Sequence, residues 1–420
     1  MSFHSFPEPE EDGDNINTSS SSNNSRKSDS DTEHVCFVSP SSTTTFIKAY
    51  TFNKHNEFVK DYDELKTDPS LRRFLNIRPP TIARNLFKTS DIVRQKLEKL
   101  SLAVGKCFFL DSNGTCDFTS YRITPIIKPN DNSPSFFIAA TCAHPYLKTD
   151  EQLGSNQKIL KYVYSNNLSA PTETLIFDDK AKIFEIFEYE KKIILDKTIY
   201  ELDQSPNANQ ETTNPHLATQ PWRLNDFLFI KVYDEGDEQI PFFQPTSSDI
   251  IPQESVALIG YPSGVEDVFK YEKQGFVVKF DKDKNDIKEK IRQCFGNWQQ
   301  KICTVGEIRS VDDPAICKVR PHDASAESGM SGCPVISLNL LFSDSNTSLL
   351  GTNMGLFACN KKCNNFLTVH QPAWAAYYGL LVYPLLDPQT QDQLLPWYRK
   401  HENEINKFQA AVQNSKIQKR

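Results

Sequence analysis

The chain has 420 residues, with 47 Lys and Arg against 54 Asp and Glu, a formal net charge of −7, and ten cysteines. That length supplies one large domain or two ordinary ones, and the acidic balance argues against a general binder of nucleic acid or of an anionic membrane. No window holds enough uncharged apolar residues to span a bilayer, and the acidic start, Met1 to Asp12, lacks the basic and apolar regions of a signal peptide. The expected location is intracellular, cytoplasm or nucleus, where the cysteines are mostly reduced.

Residues 1–34 are rich in Ser, Asn, Asp and Glu and bury too little apolar surface to offset chain entropy, so they read as a disordered tail. Residues 35–102 read as a helical extension. Arg78-Pro79-Pro80 marks a break, after which Val93, Leu97, Leu100 and Val104 fall on one helical face, with Thr89 or Ser90 as N-cap.

From Cys107 the pattern changes to short apolar runs separated by turn residues, the signature of antiparallel β structure. Phe136 to Ala140 reads as an apolar strand that runs through small residues to His144. Residues 145–221 are polar and charged; within them Ile183 to Tyr189 reads as a strand or a hairpin, residues 203–214 as an exposed loop, and His216 as surface. Asp226 then heads a second buried-strand run, Phe227 to Val232.

Further on comes Gly329-Met330-Ser331-Gly332-Cys333-Pro334, followed by the apolar start of a strand. Glycines on each side leave Ser331 unhindered and let a substrate approach closely. The N–H groups of Gly329 and Ser331 are placed to meet an oxygen that becomes negative during attack, a contribution of roughly 3–4 kcal/mol per donor in such sites. A serine nucleophile needs a base near neutral pH, and His144 supplies one; Asp226 supplies a carboxylate to orient it.

These pieces together resemble a chymotrypsin-fold serine protease of the broad clan that includes trypsin-like and glutamyl-endopeptidase-like enzymes. The resemblance is carried by Ala140-Thr141-Cys142-Ala143-His144, Asn225-Asp226-Phe-Leu-Phe-Ile-Lys231 and Gly329-Met-Ser331-Gly-Cys-Pro-Val335. Val256-Ala-Leu-Ile-Gly-Tyr-Pro-Ser-Gly264 adds a segment similar to the bacterial-type branches.

The resemblance implies an all-β core of two six-stranded antiparallel barrels over residues 103–388, and a Ser-His-Asp acyl-enzyme mechanism acting on a protein or peptide substrate. It implies no metal and no cofactor. The interval between His144 and Asp226 is long for this fold and implies an insertion within about 150–220. Met330 stands where secreted zymogens of the family carry an aspartate, so activation in the trypsinogen manner is not expected.

By the same resemblance, Ser325 forms the base of the first substrate pocket and the strand Leu350 to Gly355, with Asn353, its wall. That strand lacks the histidine used by glutamyl endopeptidases. His322 and Asp323 read either as pocket residues or as solvated loop. The competing reading of the chain is a pseudoprotease, the same fold with an occluded site serving as a protein-binding module.

Cys359 and Cys363 form a lone pair without a second pair to complete a zinc site, and Cys142 and Cys333 read as small packing residues. Tyr377 to Pro384 reads as a last strand. Residues 389–420 read as a C-terminal helix, with Trp397, His401, Ile405, Phe408 and Val412 as the stripe that packs on the second barrel, and a frayed basic tail.

Overall fold

The computed structural model describes residues 49–52, 58–61, 91–111, 114–129, 133–144, 161–165, 182–203, 225–236, 240–261, 301–309, 319–324, 326, 329–343, 347–356 and 364–418. Expectations for residues 1–34, the N-cap at Thr89 or Ser90, His216, Ser325, and Cys359 with Cys363 lie outside them.

The first described elements are a short antiparallel hairpin, β1 (Ala49–Phe52) and β2 (Phe58–Asp61). The extension, read from sequence as helical, therefore also carries strands. Its expected helix is present as α1 (Asp91–Ser101), with Val93 and Leu97 fully buried. The fourth residue of that stripe, Val104, lies beyond the helix and begins β3. Lys301 Nζ donates to the carbonyl of Ser101, the last residue of α1, and Lys96 Nζ donates to the Leu341 carbonyl. Both bonds tie α1 to the second half of the protein.

A closed barrel follows. Its strands are β3 (Val104–Asp111), β4 (Gly114–Arg122), β5 (Phe136–Thr141), β6 (Lys161–Ser165), β7 (Lys182–Ile186) and, after helix α2 (Tyr189–Asp203), β8 (Leu228–Tyr233). The order around the barrel is β3-β4-β5-β8-β7-β6. Thus the 150–220 interval is not simply an insertion: β6 and β7 belong to the barrel wall. The described addition between β7 and β8 is α2.

The second unit contains β9 (Ser255–Gly260), β10 (Ile302–Glu307), β11 (Val319–His322), β12 (Pro334–Ser337), helix α3 (Leu338–Phe342), β13 (Leu349–Leu356) and β14 (Asn364–Thr368). Its strands run β11-β14-β13-β12-β9-β10, and the β1–β2 hairpin extends the sheet beyond β10. Backbone bonds from Asp323 N–H to the Glu307 carbonyl (3.1 Å) and from Arg309 N–H to the Pro321 carbonyl (2.9 Å) join β10 to β11. The six strands therefore close on themselves. Two six-stranded antiparallel barrels flanked by terminal helices are a chymotrypsin-like architecture, as expected.

The C-terminal region departs from the sequence reading in two ways. Tyr377 to Leu381 is not strand but part of α4 (Pro372–Leu381). Gln371 caps it, its side chain accepting from Trp374 N–H at 2.9 Å, and Pro372 occupies the first turn, where a missing N–H costs nothing. The helix buries nearly its whole circumference, so its sequence carries no amphipathic period to distinguish it from a buried strand.

Second, the C-terminal stripe expected on the second barrel packs instead on α4, with Trp397 against Trp374 and Tyr378 and Phe408 against Tyr377, and α4 in turn lies on the first barrel. Phe229 of β8 meets Trp374 edge-on at 5.6 Å and Tyr377 at 5.2 Å, and the Tyr377 hydroxyl donates to the Phe187 carbonyl at 2.6 Å. The expected stripe Trp397, His401, Ile405, Phe408 and Val412 is buried throughout. It is divided between α5 (Pro388–Lys400), which contains Pro396, and α6 (Glu402–Gln418), with His401 at the break.

Candidate active site

Antiparallel pairing of β5 with β8 sets Thr141 opposite Leu228. The C-terminal end of one strand and the N-terminal start of the other therefore lie at the same barrel rim. His144 follows β5 and Asp226 precedes β8, which makes them neighbours. His144 Nδ1 and Asp226 Oδ2 are 2.8 Å apart, and Asp226 Oδ1 accepts from the backbone N–H groups of Ala143 and His144, each at 2.8 Å.

Asp226 is fully buried, while the His144 side chain keeps 20% of its surface open. A buried carboxylate is tolerated when donors satisfy its oxygens, and three converge here. A carboxylate can only accept, so Nδ1 carries the hydrogen it receives; in the neutral ring Nε2 then keeps its lone pair for a proton.

The loop behind this pair is braced by the neighbouring helices. Asn225 receives Gln371 Nε2 on Oδ1 at 3.1 Å, and its own Nδ2 donates to Asp196 of α2 at 3.1 Å. Asp196 also takes Lys192 Nζ at 2.6 Å. The α4 cap and α2 thus hold the residue next to Asp226, and Asp196, one of the carboxylates in the long interval, is committed to that brace.

Ser331 is partly exposed in the turn before β12. The turn is bound to the first barrel through Thr119 of β4: Thr119 N–H donates to the Ser331 carbonyl at 3.0 Å, and Thr119 Oγ1 to the Gly329 carbonyl at 2.8 Å. Gly329 and Gly332 adopt φ of 88° and 85°, a left-handed conformation that favours glycine. At Gly332 there is also no room: a Cβ would lie 2.2 Å from the Thr119 carbonyl oxygen, 2.3 Å from Thr141 Oγ1 and 2.9 Å from the Cys142 amide nitrogen. Gly332 thus brings the Ser331 turn against the segment that leads into His144. No acceptor lies on the N–H of Gly329 or of Ser331 among the described residues.

Met330 is fully buried among Val256, Leu258, Ala324, Val335 and Phe366, so its side chain belongs to the apolar core of the second barrel. His322 and Asp323 are buried too, which removes the solvated-loop reading. Asp323 Oδ1 accepts from Glu307 N–H at 2.7 Å and Oδ2 pairs with Arg309. His322 Nε2 lies 3.0 Å from Asn353 Oδ1. Asn353, expected on a pocket wall, is fully buried; its amide bonds His322 and the Met330 carbonyl.

Cys107, Cys142, Cys303 and Cys333 are buried free thiols. Burial raises the Cys107 thiol to about 12 and pushes Cys303 and Cys333 higher, so none of these three offers a thiolate near neutral pH. No group of three His, Cys, Asp or Glu suited to a metal ion occurs among the described residues. None of the described helices is long and apolar enough to cross a membrane.

The roles of Thr119 and Asn353 in this arrangement are not legible in the sequence reading. A threonine inside a strand carries no local signal. An asparagine in an apolar strand does carry one, because a buried amide must find partners.

No protein-family model matches the chain, and no curated protein matches it. Among solved structures it is similar to the Rv3671c protease of M. tuberculosis in its inactive form, with 14% identity, 72% of this chain and 97% of that chain covered, and a TM-score of 0.36. A structure titled Deg5 gives 15% identity, coverage of 71% and 94%, and a TM-score of 0.36. The serine endoprotease from Yersinia pestis gives 11% identity, coverage of 70% and 64%, and a TM-score of 0.33. At such scores these structures give no residue correspondence, and the fold assignment rests on the strand pairing itself.

Proposed function

We propose that the protein is a serine endopeptidase in which Ser331, His144 and Asp226 act as a triad on protein or peptide substrates. The observation that carries this reading is the His144–Asp226 pair, fixed by the β5–β8 register, with the Ser331 turn wedged through Gly332 against the residues leading into His144.

In this mechanism Ser331 Oγ attacks the scissile carbonyl while His144 Nε2 takes its proton. The Gly329 and Ser331 N–H groups receive the oxyanion. His144 then protonates the leaving amine, and an acyl-enzyme on Ser331 remains. Water, deprotonated by His144, releases the acid and restores the hydroxyl. Asp226 holds the imidazole orientation and stabilises the imidazolium without taking the proton. The nucleophile, the acid and base and the oxyanion donors in these steps all belong to the chain, so the mechanism calls for no metal or organic cofactor.

The Met330 environment supports a site assembled by folding, without an activation-generated ammonium: its side chain is apolar and embedded in the barrel core. Among the described residues, the nearest buried acid upstream of the turn, Asp323, is already paired with Arg309, which argues against selection of a basic substrate side chain through it.

The test is hydrolysis of an unfolded protein such as β-casein by the purified full chain, followed by mass spectrometry. Wild type is expected to release peptides and Ser331→Ala to release none. Equal release by both would assign the cleavage to something else and overturn the triad.

A further inference from the structure

The carbonyls of the Ser331 turn face alternate sides. Those of Gly329 and Ser331 accept from Thr119 in the first barrel, whereas that of Met330 accepts from Asn353 Nδ2 at 3.0 Å and from Cys333 N–H at 3.1 Å in the second. A trans peptide is planar, so its C=O and the following N–H point in opposite directions. Holding the Met330 carbonyl into the second barrel therefore turns the Ser331 N–H away from it.

The orientation of the Asn353 amide follows from its partners. The Met330 carbonyl can only accept, so Nδ2 faces it and Oδ1 faces His322. His322 Nε2 must then carry a hydrogen and donate it at 3.0 Å. Both side chains are fully buried. The Asn353 backbone holds the next part of the turn, accepting from Gly332 N–H at 2.7 Å and donating to the Cys333 carbonyl at 2.9 Å. One residue thus binds Met330, Gly332 and Cys333, and only its side chain reaches the peptide that bears the Ser331 N–H.

We propose that Asn353, fixed by His322, is a positioning residue that aims the Ser331 N–H into the oxyanion site. The inference rests on the peptidase reading and deepens it: the turn is locked through a main-chain carbonyl, because its Met330 side chain has no charge with which to form an ion pair. Asn353 touches no substrate in this account. Its loss removes a transition-state interaction and leaves ground-state binding in place.

The test uses full-length wild type, Asn353→Leu, His322→Leu and His322→Gln, with crystal structures and steady-state kinetics on one peptide excised from the β-casein digest. Asn353→Leu is expected to rotate the Met330–Ser331 peptide and to lower kcat about 10²-fold with KM unchanged. Glutamine at 322 keeps an N–H donor and is expected to retain most of kcat, whereas leucine there is not. The His322 pair decides the question if Asn353→Leu does not fold.

An unrotated peptide with kcat within twofold of wild type in folded variants would overturn the proposal. So would equal kcat in His322→Leu and His322→Gln. A wild type that hydrolyses nothing would instead overturn the peptidase reading, and the peptide plane in Asn353→Leu would still decide the positioning role.

Discussion

Thr119 Oγ1 donates to the carbonyl of Gly329 at 2.8 Å, and the same oxygen accepts from the N–H of Tyr261 at 3.0 Å. One buried hydroxyl in the first barrel thereby fixes a turn and a strand end of the second. Thr119→Val preserves shape and removes both bonds, leaving a buried N–H and carbonyl without this partner. A loss of about 1–3 kcal/mol is expected, read as a lower urea midpoint at unchanged m, together with a fall in kcat.

Gly332 combines a left-handed φ with contact on three sides. Gly332→Ala must either push the turn away from Thr119 and Thr141 or strain both. Destabilisation of about 3 kcal/mol or more is expected in chemical unfolding, with loss of peptide hydrolysis in whatever remains folded.

Asp226→Asn separates orientation from charge. The amide oxygen can still accept from Ala143 and His144 N–H, but its NH₂ then meets Nδ1 and imposes the wrong imidazole tautomer. The fold should persist by circular dichroism while kcat falls about 10⁴-fold.

His370 and His401 form a second coupled pair, far from this chemistry in sequence. His370 Nε2 donates to the Ser248 carbonyl at 2.8 Å, so the neutral ring accepts on Nδ1 from His401 Nε2 at 2.9 Å. Burial, then the neighbouring His370 and Lys400, lower His401 from 6.5 to about 4; His370 is lowered chiefly by burial. Asp249 faces His370 and is itself paired with Lys400.

The folded state therefore favours neutral rings, and the unfolded chain takes up protons first as pH falls. Stability from this pair is present above pH 6.5 and is lost between about 6.5 and 4. The expected loss is about 1–2 kcal/mol after allowance for solvent screening at the open side of the pair. His401→Phe should flatten that part of the pH–stability curve in urea unfolding.

The strands that build the site were legible because β5, β8 and β12 are short apolar runs with turn residues at their ends. His144 and Asp226 could be proposed as partners because each stood at the end of such a run, where antiparallel pairing brings ends together. The interval between them is only partly legible: β7 falls in the run Ile183 to Tyr189, which reads as a strand or a hairpin, whereas β6 is too short to show a clear alternation. Helix α4 reads as strand in the sequence because a helix buried all round has no polar face, although Gln371 and Pro372 mark its start. Thr119 and Asn353 act through partners remote in sequence, and only closure of the two barrels reveals those partners.

The most direct test of the central claim is intact-protein mass spectrometry after treatment with a fluorophosphonate, with the adduct mapped by peptide fragmentation. The account predicts one adduct on Ser331 in wild type and none in Ser331→Ala or His144→Ala. Folded wild type that gains no adduct, or gains it equally when His144 is replaced, would contradict an activated serine at this site.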